Sequence, residues 1–148
     1  MIAHVVPDTS VVIKWFRQGE VLADQALAVR AAYVDGRLRV SVPALLAYEL
    51  ANVLRYKADL TTTQVGEAVQ SLFDMGMMWM SPSVEVMGRA VEIAREFGIT
   101  VYDAAFVAVA ESLNAVMVTA DERLAEGLAR LSFVRCLGDL ESDGSHRS

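Results

Sequence analysis

Four acids, Asp8, Glu49, Asp103 and Asp121, stand in or directly beside apolar stretches of the chain. Glu49 is the most exacting of them. It lies within Pro43-Ala-Leu-Leu-Ala-Tyr-Glu-Leu-Ala-Asn-Val-Leu54, among residues that otherwise build a core. A carboxylate there is costly unless it is paired, protonated or bound to a cation. Carboxylates with no histidine or thiol among them are hard oxygen donors, which suit magnesium or manganese better than zinc. Such ions activate water, orient a phosphodiester and stabilise charge on a leaving oxygen. That chemistry relies on positioning and electrostatics and needs no protein nucleophile.

Other chemistries are harder to assemble. Cys136 is the single cysteine, so an internal disulfide or a cysteine zinc site is excluded. His4 and His146 sit near opposite ends and belong to no ligand pair, which leaves a Ser-His-Asp or Cys-His mechanism without its base. Each acid also has a plainer reading. Asp8 can cap a helix from Thr9, Asp103 completes a capping box with Thr100, and Asp121 suits a helix N-cap or first turn. A receiver-like phosphoacceptor domain would want a late lysine, and none follows Lys57. An aspartyl-phosphate hydrolase built on Asp8 would want an acid two residues on, where Ser10 stands. A catalytically idle binding module of the same fold is the remaining alternative, and four intact acids weigh against it.

The elements that must position these acids follow from pattern. Ala3 to Pro7, Arg39 to Val42, Met77 to Met80, Ala115 to Thr119 and Phe133 to Leu137 read as short buried strands. Helices are expected over 9–16, 21–34, 43–57, 61–75, 82–97, 100–113 and 121–131. Pro43 is assigned to a first helical turn, Thr61 to Gln64 to a capping box, and Ser81-Pro82 to a cap with its first-turn proline. Alternation of strands and helices implies an α/β fold with a parallel sheet covered on both faces. If the chain order reverses between the first and fourth strands, Asp8 and Asp121 face each other across the crevice where such sheets bind ligands. The helix opening at Asp103 is apolar nearly all round and should be central. Residues 1–140 read as one domain, without repeat or linker, and 141–148 as a flexible polar tail.

The net charge of −6, from 13 basic and 19 acidic residues, argues against a nucleic-acid partner at first sight. Four of those acids at one cation site would account for most of the excess. Met1-Ile-Ala-His-Val has no basic leader, and the apolar runs fall far short of a membrane span, so a soluble cytoplasmic protein is expected.

Four segments then carry a resemblance. They are Val5-Val-Pro-Asp8-Thr-Ser-Val-Val-Ile-Lys-Trp-Phe16, Pro43 to Leu54, Thr100-Val-Tyr-Asp103-Ala-Ala-Phe-Val-Ala-Val-Ala110 and Val118-Thr-Ala-Asp121-Glu-Arg-Leu124. In this order, and over nearly the whole chain, they resemble PIN-domain ribonucleases, most closely the VapC-type toxins of toxin–antitoxin pairs. Pro7 departs from the pattern, standing where an apolar residue is commoner. The resemblance implies a three-layer α/β/α fold with a five-stranded parallel sheet, and a magnesium- or manganese-dependent endoribonuclease. It implies a site of Asp8, Glu49, Asp103 and Asp121, supported by Ser10 and Thr119. It also implies a homodimer held inactive by a cognate VapB-like antitoxin.

Several further residues are open to two readings. Lys14, Arg17, Arg55 and Lys57 are candidates for RNA phosphates or ordinary solvated charges. Trp15 and Phe16 suit core packing better than base stacking. The apolar residues between Pro43 and Met75, among them Leu46, Leu50, Val69, Leu72 and Phe73, offer either a core or a dimer or antitoxin surface.

Overall fold

A computed structural model describes residues 3–17 and 19–140, so the tail assigned to 141–148, with His146, lies outside the described residues. Five strands pair throughout in parallel: β1 (Ala3–Pro7), β2 (Leu38–Pro43), β3 (Met78–Met80), β4 (Val116–Thr119) and β5 (Val134–Cys136). Their spatial order is β3-β2-β1-β4-β5. Successive side chains on a strand point to opposite faces. Val5 and Val6 are both buried, so both faces of β1 are covered and the architecture has three layers.

Among the described residues, the helices around the sheet are α1 (Thr9–Val12), α2 (Ala23–Val34), α3 (Leu45–Arg55), α4 (Thr62–Asp74), α5 (Val84–Phe97), α6 (Val101–Ser112) and α7 (Glu122–Gly127). α6 packs on β1, β2 and β4 and is the most buried helix, with Ala104 and Phe106 through Ala110 in the core. α3 follows the usual amphipathic rule, turning Leu46, Leu50 and Leu54 inward at steps of four.

Several boundaries differ from the sequence expectation, each for a local reason. The helix expected over 9–16 is α1 followed by a 3-10 turn, Ile13–Trp15. Pro43 is not in a first helical turn. It ends β2 opposite Met80, the neighbouring Ala44 N–H reaches the Met80 carbonyl at 3.0 Å, and α3 begins two residues later. Sheet pairing has overridden the helix-start signal. Similarly, Ser83 and not Ser81 caps α5, its Oγ accepting from the Val86 N–H at 3.1 Å. The expected capping box at Thr61 and Gln64 is present in both directions. Pro7 is accommodated where a strand ends: it lies opposite Val118, and the next N–H, from Asp8, donates to the Val118 carbonyl at 3.0 Å.

Candidate active site

β1 and β4 are neighbours, and the chain order reverses between them. Asp8 leaves the end of β1, and Asp121 follows the end of β4 after Ala120. Helix α3 brings Glu49 to this end and the first turn of α6 brings Asp103. The four carboxylates line one cleft of about 200 Å³, together with Thr9, Ser10, Asn52, Val53, Phe106 and Leu124.

Hydrogen bonds fix most of these acids by one oxygen. Asp8 is buried and caps α1, its Oδ1 accepting from the Ser10 N–H at 3.0 Å and from the Ser10 hydroxyl. Glu49 Oε1 accepts from Thr9 Oγ1 at 2.6 Å. Asp121 caps α7, its Oδ1 accepting from the Leu124 N–H at 3.1 Å. The second oxygens of Glu49 and Asp121 lie outside these bonds. Capping and site membership are therefore compatible, because one carboxylate oxygen suffices for a cap. At Asp103 the box is half built: Thr100 Oγ1 accepts from the Asp103 N–H at 3.0 Å.

Ser10 and Thr119 sit behind the acids. The Ser10 hydroxyl also accepts from the Ala120 N–H at 2.8 Å and lies 3.3 Å from Thr119 Oγ1. Thr119 Oγ1 in turn accepts from the Asp121 N–H at 3.1 Å. A continuous chain of polar contacts thus joins Asp8 to Asp121 across the sheet reversal.

Charge in this cleft is uncompensated. Burial pushes the Asp8 carboxyl up to about 6, with the Asp103 charge adding to it and the Ser10 and Thr119 hydroxyls and the Val11 N–H opposing it. Glu49 is raised by burial and by Asp103, against its bond from Thr9. Asp103 is raised by burial and by Asp121, against Thr100. Among the described residues, no lysine or arginine lines the cleft. Like charges held together without a counter-charge make a site for a cation. The donor set, all carboxylate and hydroxyl oxygen, fits a hard divalent ion by type and charge. The side chains do not yet close on one: among the described residues, no three His, Cys, Asp or Glu stand close enough to hold an ion as they lie.

The other singled-out residues separate. Arg17 is paired with Asp59 at 2.8 Å. Lys14 is half-buried and Arg55 exposed, while Lys57 lies just beyond α3. Trp15 belongs to the core, its Nε1 donating to the Ala26 carbonyl at 2.9 Å, and Phe16 packs against that core. Thr9, Asn52 and Val53 were not singled out from the sequence. Asn52 carries a legible signal, lying three residues after Glu49 and hence on the same helical face.

A sequence model of the family described as PIN domain matches residues 5–128. The chain is 37% identical over 86 residues to Ribonuclease VapC3 of Pyrobaculum aerophilum, a match covering 55% of this chain and 66% of that one. It is 30% identical over 115 residues to Ribonuclease VapC9 of Mycobacterium tuberculosis, covering 72% of this chain and 89% of that one. The fold is similar to that of a toxin-antitoxin complex from Klebsiella pneumoniae, with a TM-score of 0.65 at 15% identity over 90% of this chain and 97% of the other.

Proposed function

The chain is a VapC-type member of the PIN domain family, and from that premise we propose that it is a divalent-cation-dependent endoribonuclease, the toxin of a toxin–antitoxin pair. Its site is Asp8, Glu49, Asp103 and Asp121. One observation carries this reading: four acids from four separate stretches line a single cleft whose wall, among the described residues, holds no basic side chain.

Bound magnesium or manganese supplies the positive charge that draws in a phosphodiester and acidifies a water. The protein's own residues prepare that event. Asp8, Asp103 and Asp121 offer oxygens for the ion, and Glu49 offers a further one, held in place by Thr9. Ser10, tied to both Asp8 and the Ala120 N–H, keeps the ends of β1 and β4 at a fixed separation. Thr119 steadies Asp121 through its backbone. Burial and the neighbouring acids raise the carboxyls of Asp8, Glu49 and Asp103, so each holds its negative charge at a cost that a bound cation would relieve.

A homodimer and a VapB-like antitoxin are proposed as partners. Leu46, Leu50 and Leu72 are core residues, but Val69 and Phe73 line an apolar groove of about 490 Å³ with Ala44, Ala47 and Trp79. The Trp79 Nε1 beside it is buried and has no acceptor among the described residues. No described helix is long and apolar enough to cross a membrane, and a cytoplasmic site of action is proposed.

The test is cleavage of RNA by the purified protein with magnesium or manganese, against EDTA and Asp8→Asn controls. Cleavage is expected only with the cation. Asp8→Asn should lose more than the roughly 10–100-fold typical of an outer-shell partner. Cleavage that survives EDTA would overturn the metal dependence, and full activity in Asp8→Asn would overturn the site.

A further inference from the structure

Among the described residues, the cleft offers acids, hydroxyls and an amide to its ligand but no basic side chain. A polyanionic strand must therefore be held beside the cleft as well as in it. Helix α3 provides the place. Glu49 and Asn52 line the cleft, and Tyr56 caps the same helix on the same face, at a spacing of three and then four residues. At 1.5 Å per residue, Tyr56 lies about 10 Å along the helix from Glu49.

This stripe is built, not merely exposed. Arg55 Nη2 donates to Asn52 Oδ1 at 3.2 Å, and the guanidinium carbon stands 3.8 Å from the centre of the Tyr56 ring. Among the described residues no carboxylate pairs with Arg55, in contrast to Arg17, which Asp59 holds. The Tyr56 side chain is 70% exposed although one ring face is covered by the guanidinium. An exposed aromatic with a cation on one side and solvent on the other is the form of a base-stacking platform.

We propose that single-stranded RNA lies along this face of α3. Asn52 contacts the nucleotide next to the scissile phosphate, Arg55 turns its charge toward a flanking phosphate, and the open face of Tyr56 stacks a base one or two nucleotides away. The proposal rests on the ribonuclease reading of the cleft and adds its strand path and its preference for unpaired RNA.

Two measurements test it separately from that reading. In the first, fluorescence anisotropy follows a labelled single-stranded RNA titrated with the otherwise unaltered protein loaded with calcium in place of magnesium, a hard cation that fills the site while cleavage is held back, with and without Tyr56→Ala. Tyr56→Ala should weaken binding about tenfold, the size expected of one lost stack, and Tyr56→Phe should restore it. A fully paired RNA of the same sequence should show no effect of Tyr56→Ala. In the second, cleavage kinetics of the otherwise unaltered protein should place most of the Tyr56→Ala loss in KM. Affinity for single-stranded RNA within twofold of the parent would overturn the proposal. So would an equal loss on paired RNA, or a Tyr56→Ala defect confined to self-association by sedimentation, which would make the stripe a protein interface. Failure of the unaltered protein to cut RNA would count against the ribonuclease reading, while the anisotropy result would still judge the stripe.

Discussion

Asp8 shows how one residue carries both a structural and a chemical load. Its carboxyl is raised from 3.8 to about 6, so between those values the folded protein binds a proton that the unfolded chain has released. Stability from this group is therefore fullest below the unfolded value and falls as pH rises through about 6. The gap corresponds to at most roughly 3 kcal/mol. Glu49 and Asp103 are raised too and act in the same sense. Cation-free protein should accordingly melt at a lower temperature at pH 7.5 than at pH 5, and Asp8→Asn should both raise the pH 7.5 melting temperature and flatten the pH curve. A wild-type melt that is flat or climbs over this range would refute the assignment. Ser10→Ala removes bonds to Asp8 and to the Ala120 N–H and should cost about 1–3 kcal/mol in urea unfolding. At this scale the sequence is informative where a charge interrupts an apolar stretch, as at Glu49, although the structure leaves that side chain half-buried and makes Asp8 the buried acid. The sequence was weaker at Asp103, where a cap explained the residue equally well and the family resemblance supplied the rest. Asn52 escaped notice because an amide is unremarkable on a helix until its neighbours are known.

The elements were legible in kind more than in extent. Five strands and seven helices follow from alternation and caps, because those signals are local. Pro43 and the α5 cap, expected at Ser81 and found at Ser83, differ because strand pairing with β3 and the choice between two nearby serines are settled by tertiary contacts that spacing does not encode. The same logic separates the two sides of α3. Leu50 is fully buried, and Leu50→Ala should destabilise the protein by about 2–5 kcal/mol in chemical denaturation. Ser83→Ala removes the cap of α5 and should cost only about 1 kcal/mol. Comparable losses in the two variants would mean that α3 does not anchor the core as described.

For the whole molecule, the sheet reversal and the acidic balance act together. With a net charge of −6, the proposed RNA binding is expected to depend on a bound cation. Magnesium or manganese at about 100 times its dissociation constant should stabilise the fold by roughly 2.7 kcal/mol, read as a rise in melting temperature that EDTA reverses and Asp8→Asn lacks. An equal rise in Asp8→Asn would place the cation elsewhere. The reversal also sets an order of events during synthesis. β2 and β3 can join β1 early, leaving Asp8 on an open edge, but the contact from Ser10 to Ala120 spans 110 residues. Chains emerge from the ribosome amino end first. Until Ala120 and Asp121 have been translated and β4 has docked, the cleft has only part of its acid set and no wall on that side. The acid cleft is thus built so that it closes late in synthesis, once the strand that carries Asp121 has joined the one that carries Asp8.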